Sequence, residues 1–245
     1  MPNMIVLSTD FGLEGPYIGQ VKAVLYQEAP NCRVIDLFSD LPKYNIQASA
    51  VLLAAYSHGF PDSTVFLSIV DPGVGMPERP AVVMKVGSHW FVGPDNGLFD
   101  QLMMRDNEVQ RWQIVWQPDQ LSNSFHARDL FAPIAAELAQ GIFPEGKLKA
   151  QSSVAVSARN RIYPYVVYID HFGNVITGIW SDDLDTKKIV EFHGREISYA
   201  RTFGEVAFGA LFWYKNSSGL IEIASNCSSA AKALGASIGD TITLR

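Results

Sequence analysis

The sequence predicts an α/β fold: an N-terminal domain built on a mostly parallel sheet with flanking helices, and a smaller C-terminal β-barrel domain. Three observations predict it. Over the first 140 residues, short apolar runs alternate with stretches of helical periodicity, as βα units on a parallel sheet require. Thr64–Val70 is an unbroken β-branched and aromatic run, which suits a strand buried on both faces. After residue 160, short strand-like runs follow one another with turn residues between them.

Met4–Ser8 reads as the first strand. Tyr17–Glu28 carries Ile18, Val21, Val24 and Leu25 at helical spacing. Val34–Phe38 is a second strand, and Asn45–His58 an Ala/Leu-rich helix whose small residues suit packing on a sheet. Ala81–Val86 and His89–Val92 pair around the turn Gly87-Ser88. A strand near Val109–Val115 and a helix near Asp129–Ala139 complete the first domain. Gly141–Asn160, with Gly141, Pro144, Gly146 and a Ser/Ala stretch, reads as a linker or crossover. The domains are therefore placed at 1–160 and 161–245. In the second, Tyr163–Ile169, Val175–Ile179, Ile189–Phe192, Leu211–Tyr214, Leu220–Ala224 and Thr241–Leu244 read as strands, and Ser228–Leu234 as helix.

Of the 245 residues, 48% are hydrophobic and 18% charged, enough to bury a sizeable core and too apolar for a disordered chain. The formal charge of −6 argues against a nucleic-acid partner, which needs a net basic surface. No apolar run approaches the length of a bilayer span, so no membrane partner is expected. The N-terminus lacks a secretory pattern, and Cys32 and Cys227 have no metal-like spacing, which reads as a cytoplasmic protein with reduced thiols.

In open α/β sheets, ligands bind beyond the carboxyl ends of the strands. Three polar clusters fall at such places: Ser8-Thr9-Asp10-Phe11-Gly12, Asp71-Pro72-Gly73-Val74-Gly75, and Gly93-Pro94-Asp95-Asn96-Gly97. Each sets a carboxylate beside glycine, which lets the backbone approach a ligand; each Asp could equally cap a helix or nucleate a turn. A fourth cluster, Ser124-Phe125-His126-Ala127-Arg128-Asp129, precedes a helix, and a fifth, Asp170-His171-Phe172-Gly173-Asn174, opens the second domain. The three-glycine dinucleotide fingerprint is incomplete, and phosphate-loop, HExxH and GxSxG motifs are absent.

Longer strings go further. STDFG from Ser8, YIGQVKAV from Tyr17, SIVDPGVG from Ser68, VGPDNGLF from Val92, SFHARDLFAP from Ser124, IDHFGNVIT from Ile169 and NSSGLIEIA from Asn216 occur in this order. In these the chain resembles the S-adenosyl-L-methionine (SAM) hydroxide adenosyltransferases, or adenosine-forming SAM hydrolases, relatives of fluorinase and chlorinase. The resemblance implies hydrolysis of SAM to adenosine and L-methionine, with water or hydroxide attacking C5′. It implies SAM as substrate, no cofactor and no metal, and a homotrimer with sites at subunit interfaces.

By the same resemblance, the catalytic set maps onto Asp71, Arg79 and His126, and the ribose-binding carboxylate onto Asp10. Asp170 resembles the residue that holds the methionine ammonium, Phe172 and Asn174 the adenine contacts, and Ser217 the contact to the methionine end. The residue types suit the chemistry. The leaving thioether is neutral and needs no acid, so the task is to align an oxygen nucleophile with C5′. Arg79 would favour a bound hydroxide and Asp71 would hold Arg79; His126 would position or deprotonate the water. Asp10 suits a ribose diol. The chain departs from the family pattern where Met76-Pro77 lengthens the loop before Glu78-Arg79, in SFHARD for TFHGRD, and in Gly178 closing GNVITG. A halide-using adenosyltransferase, a non-catalytic SAM- or adenosine-binding module, and a metal-dependent phosphoesterase on Asp10, Asp71 and Asp95 are the alternatives.

Overall fold

A computed structural model of the chain describes residues 4–76, 80–106, 108–152 and 162–245. It opens on β1 (Met4–Thr9), passes through helix α1 (Tyr17–Glu28) to β2 (Arg33–Phe38), and through α2 (Ile46–Tyr56) to β3 (Val65–Ile69). A hairpin of β4 (Ala81–Val86) and β5 (His89–Pro94) leads to helix α3 (Asp100–Arg105) and β6 (Val109–Ile114). Helix α4 (Ala132–Ala139) and β7 (Leu148–Gln151) follow. The seven strands form one sheet in the order β2-β1-β3-β5-β4-β6-β7. Five run in one direction; β4 and β7 oppose them.

Alternation along the strands explains the layers. Ile5 and Leu7 of β1 and Val65, Leu67 and Ile69 of β3 share a core with Val21 and Leu25 of α1 and Ile134 and Ala135 of α4. Their neighbours Val6 and Phe66 point the other way and are fully buried too, so the sheet centre is covered on both faces. Helix α2 is buried from Ala48 to Ala55, and its small side chains permit that close fit. The Asn45 side chain caps it, accepting from the Ala48 amide at 3.0 Å, a contact typically worth about 1 kcal/mol.

The order 2-1-3 makes the gap between β1 and β3 a topological switch point, because the chain leaves β1 toward β2 on one side and leaves β3 toward β4 and β5 on the other. Asp10 follows β1 and Asp71 follows β3 at the same sheet edge. Chain order alone therefore brings those two carboxylates to where an α/β sheet binds ligands.

The structure corrects two readings. Part of the segment read as a linker is β7, an edge strand on β6. Its Leu-Lys-Ala-Gln sequence carries no apolar run because an edge strand needs none. The turn after β5 holds the short helix α3, which was not expected. Packing divides the chain into two compact units, and the boundary expected near residue 160 lies outside the described residues.

The second unit contains β8 (Tyr163–Ile169), β9 (Val175–Trp180), β10 (Val190–Phe192), β11 (Arg195–Ile197), β12 (Leu211–Lys215), β13 (Leu220–Ser225), the short helix α5 (Ala230–Leu234) and β14 (Thr243–Leu244). In this unit, expected to form a barrel, the strands lie in two antiparallel sheets, β12-β13-β9-β8 and β11-β10-β14. Main-chain hydrogen bonds join them along both margins: Val166 N to Asp240 O at 2.8 Å on one side, and Trp213 N to Ser198 O at 3.0 Å on the other. Val166, Val175, Phe192, Trp213, Ile221 and Ile223 fill the space between. Among the described residues, no helix is long and apolar enough to cross a membrane.

Candidate active site

Asp10 stands one residue past β1, where its loop is tied down by Leu41 N donating to Thr9 O (3.0 Å) and Gly12 N to Ser39 O (2.6 Å). Its Oδ2 accepts the Tyr44 amide at 3.1 Å. Tyr44 has φ of +60°, a left-handed conformation that turns that amide toward the carboxylate just before the Asn45 cap. Burial holds the Asp10 carboxyl above the usual carboxylate range, and the negative charge of Asp71 adds to the rise; the Tyr44 and Asp10 amides and Lys43 oppose it. Two carboxylates thus share one neighbourhood.

Asp71 organises its own loop. Its Oδ1 accepts the Gly73 amide at 3.3 Å and its carbonyl the Val74 amide at 3.3 Å. Behind it, the Asn96 side chain donates to Val70 O at 2.8 Å. Gly75 then turns with φ of +83° and presses against the next loop: a Cβ there would meet Asn123 O at 2.3 Å. That contact sets the Asp71 loop against the segment leading to His126.

His126 begins a π-helical turn, Ala127–Phe131, that passes directly into α4. Such turns recur at functional sites because the extra residue re-aims side chains. Asp129 holds this one: it accepts Ser122 N at 2.9 Å and pairs with Arg128, whose Nε and Nη2 donate at 2.5 and 3.0 Å. Arg128 keeps the Asp129 carboxyl below the usual range. Nη1 of the same guanidinium reaches Gln20 of α1 at 3.0 Å. Phe125 joins Phe11 and Tyr17 in an aromatic cluster with ring centres 5.4 to 6.0 Å apart.

These loops line a half-open pocket of roughly 100 Å³, with Asp10, Asp71 and His126 in its walls together with Phe11, Tyr44 and Phe125. A second, more polar cavity lies beside it, with Gln113, Gln117 and Asn123 in its walls, and shares Asp71, His126 and Phe131 with the first. Asp71 and His126 therefore face two spaces at once. An acidic, aromatic cavity of this kind suits a cation carrying hydroxyl donors. Tyr44 escaped the sequence reading, because an exposed loop Tyr carries no pattern of its own; Phe125 lay in the fourth cluster but was given no role there.

Other expectations fall differently. Asp95 lines neither cavity; its carboxylate pairs with Arg111 of β6, so the three-carboxylate arrangement of a metal phosphoesterase is not formed. Among the described residues, no three His, Cys, Asp or Glu side chains are grouped as metal ligands. Arg79, with Pro77 and Glu78, lies outside the described residues.

In the second unit, Asp170, Phe172 and Asn174 form one tight turn between β8 and β9. Asp170 Oδ1 accepts the amides of Phe172 (2.9 Å) and Asn174 (2.8 Å), and Oδ2 accepts the Asn174 side chain at 2.9 Å. Phe172 is 75% exposed at its tip, whereas Asn174 is buried. Gly173, at φ +84°, lies so close to Ser229 that a Cβ would meet its Oγ at 2.0 Å, which seats the turn on the start of α5. Ser217 is exposed on the β12–β13 turn.

Comparison with known proteins bears on the whole chain. Residues 5–147 match the model of the SAM hydroxide adenosyltransferase N-terminal domain, and residues 164–243 that of the C-terminal domain. The chain belongs to this family. An adenosyltransferase relative from Thermus thermophilus, named (R)-S-adenosyl-L-methionine hydrolase, is 38% identical over 96% of this chain and 97% of its own. A more distant relative, named fluorinase, from Nocardia brasiliensis, is 23% identical over 93% of this chain and 92% of its own. Among solved structures, a conserved protein of Thermotoga maritima superposes with a TM-score of 0.87 at 32% identity, covering 98% of this chain and 99% of that one.

Proposed function

We propose that this adenosyltransferase-family protein hydrolyses (R)-S-adenosyl-L-methionine to adenosine and L-methionine. The observation that carries the reading is the joint placement of Asp10, Asp71 and His126 around one cavity at the sheet's switch point, in a chain of this family. The name of the T. thermophilus relative specifies the R form, a choice of sulfonium configuration that sequence reasoning left open.

In this reading, Asp10 accepts hydrogen bonds from the ribose diol, and its neighbour Asp71 adds negative charge that favours a sulfonium. The water oxygen bonds to C5′ as the C5′–S bond breaks. The bond's electron pair goes to sulfur, which leaves as neutral methionine thioether, and the water's proton passes to the His126 imidazole. Asp71 and His126 face both cavities, which suits groups that set a nucleophile from one space against a carbon held in the other. Arg79 joins them on the strength of the family resemblance.

Phe172 and Asn174 are assigned to adenine, Asp170 to the methionine ammonium and Ser217 to the methionine end. The Asp170 assignment rests on the family resemblance; its carboxylate keeps acceptor capacity on Oδ2 beyond the bonds that shape its turn. A domain boundary near residue 160, a homotrimer with sites at subunit interfaces, and a cytoplasmic location complete the proposal. The family resemblance supports the trimer, and the two cysteines, which form no disulfide, agree with a reducing compartment.

Incubation with separated R and S forms of SAM, followed by chromatography, tests the function. The R form yields adenosine and methionine, with or without chelator and halide. A 5′-haloadenosine instead shows the halide reaction, and no turnover leaves a binding module; either outcome overturns the proposal.

A further inference from the structure

Glu222 is a buried carboxylate for which the proposed reaction has no use. It lies on β13 with 5% of its surface exposed. Tyr214 on β12 stands directly across from it and donates its hydroxyl to Oε1 at 2.5 Å. The Asn216 side chain donates to Oε2 at 2.9 Å. Both partners are donors, so they favour the ionised form, although burial raises the carboxyl above its ordinary range and Asp170 adds to the rise. A carboxyl this buried, held among the described residues by Tyr214 and Asn216, calls for a reason.

Its neighbours supply one. The Asn216 amide that binds Glu222 through nitrogen also closes the β12–β13 turn through oxygen, accepting Ser218 N at 3.0 Å and Leu220 N at 2.9 Å. Ser217 sits at the tip of that turn. At the other end of β9–β13, Ile223 pairs with Val175, the residue that follows the Asp170–Asn174 turn. Leu220, by contrast, pairs with Trp180. The two turns thus stand at opposite ends of β9, about 17 Å apart by strand rise, farther than one methionine spans, so the inference uses the Ser217 assignment and takes the near turn for its adenine contacts, not for Asp170. Glu222 binds Asn216 of the far turn directly and lies within electrostatic reach of Asp170 in the near one.

We infer that Glu222 is a positioning residue for the methionine end of the substrate, acting through Asn216 to hold the Ser217 turn in register with the Asp170 turn. The inference rests on the assignment of Ser217 to the methionine end. It extends that assignment by naming what keeps the turn in place. Glu222→Gln preserves shape but presents an amide nitrogen or a neutral oxygen to Asn216, whose own oxygen is already committed to the turn. The variant should raise KM for SAM about tenfold, with kcat lowered less than about threefold, as loss of a charge-assisted hydrogen bond at a remote subsite allows. Adenosine, which lacks the methionine end, should bind within about twofold of wild type, since its contacts belong to the other turn.

Calorimetric binding of adenosine beside steady-state kinetics with SAM reads both. Equal loss for adenosine and SAM would mean that Glu222 merely supports the fold, and overturns the inference. Asn216→Ala cuts the same link from the other side, together with the turn's own bonds to Ser218 and Leu220; it should show the same split, and an unchanged KM for SAM in this variant overturns the inference even if Glu222→Gln does not fold. Ser217→Ala separates the two layers of argument. If it raises KM for SAM while Glu222→Gln does not, the positioning role is wrong and the assignment stands. If Ser217→Ala leaves KM unchanged, the assignment itself fails.

Discussion

Asp10, assigned to the ribose, shows how a single residue placed for binding would cost stability. Its carboxylate is held partly out of water and beside Asp71, so its folded pKa lies above the ordinary value. For an acid shifted upward, the unfolded chain ionises first, so the group costs stability as pH rises. The cost begins above the unfolded pKa and is complete above the folded one. Asp10→Asn keeps an acceptor for the Tyr44 amide and removes the charge. It should melt at the same temperature as wild type in acid, and at a higher temperature at neutral pH, while binding SAM more weakly. Thermal melts across pH check this; a wild type more stable than the variant at neutral pH contradicts it. Asp10, Asp71 and His126 were legible in the sequence because they sit in glycine-bearing or family-like strings. Glu222 was not, since a lone Glu within Ile-Glu-Ile-Ala reads as the solvent-facing member of an alternating strand. Its burial appears only once Tyr214 is known to lie across from it.

At the level of elements, the site depends on loops pressed against one another. Gly75 is where the Asp71 loop meets the segment before His126, with both a left-handed backbone and no room for a side chain. Gly75→Ala should therefore cost roughly 1–3 kcal/mol of stability and lower kcat and kcat/KM together by about tenfold or more, because small misplacement of reacting groups is expensive. Gly15 is the control: its φ is +100° but nothing lies within 4 Å, so Gly15→Ala brings backbone strain without a clash. Kinetics and denaturant melts of the pair separate strain from displacement; equal kcat losses in both would contradict the account. Strongly apolar elements such as β1 and β3 were legible because burial on both faces leaves a continuous pattern. The edge strand β7 was not, since half-exposed Leu-Lys-Ala-Gln carries none. Nor was the π-helical turn after His126, because an added residue in a helix leaves no mark in apolar spacing.

For the whole molecule, alternation of strand and helix was enough to indicate the α/β unit, and the later run of short strands the antiparallel unit. The switch point between β1 and β3 required the strand order itself, which no local pattern contains. That order brings Asp10 and Asp71 to one sheet edge, and the central proposal gives Asp10 the ribose and Asp71 with His126 the water that attacks C5′ of a sulfonium nucleoside. Hydrolysis of (R)-S-adenosyl-L-methionine in oxygen-18 water, with mass spectrometry of the adenosine formed, tests this most directly. The account predicts one labelled oxygen, at the 5′-hydroxyl of adenosine. Adenosine without label, or label at any other position, would contradict it.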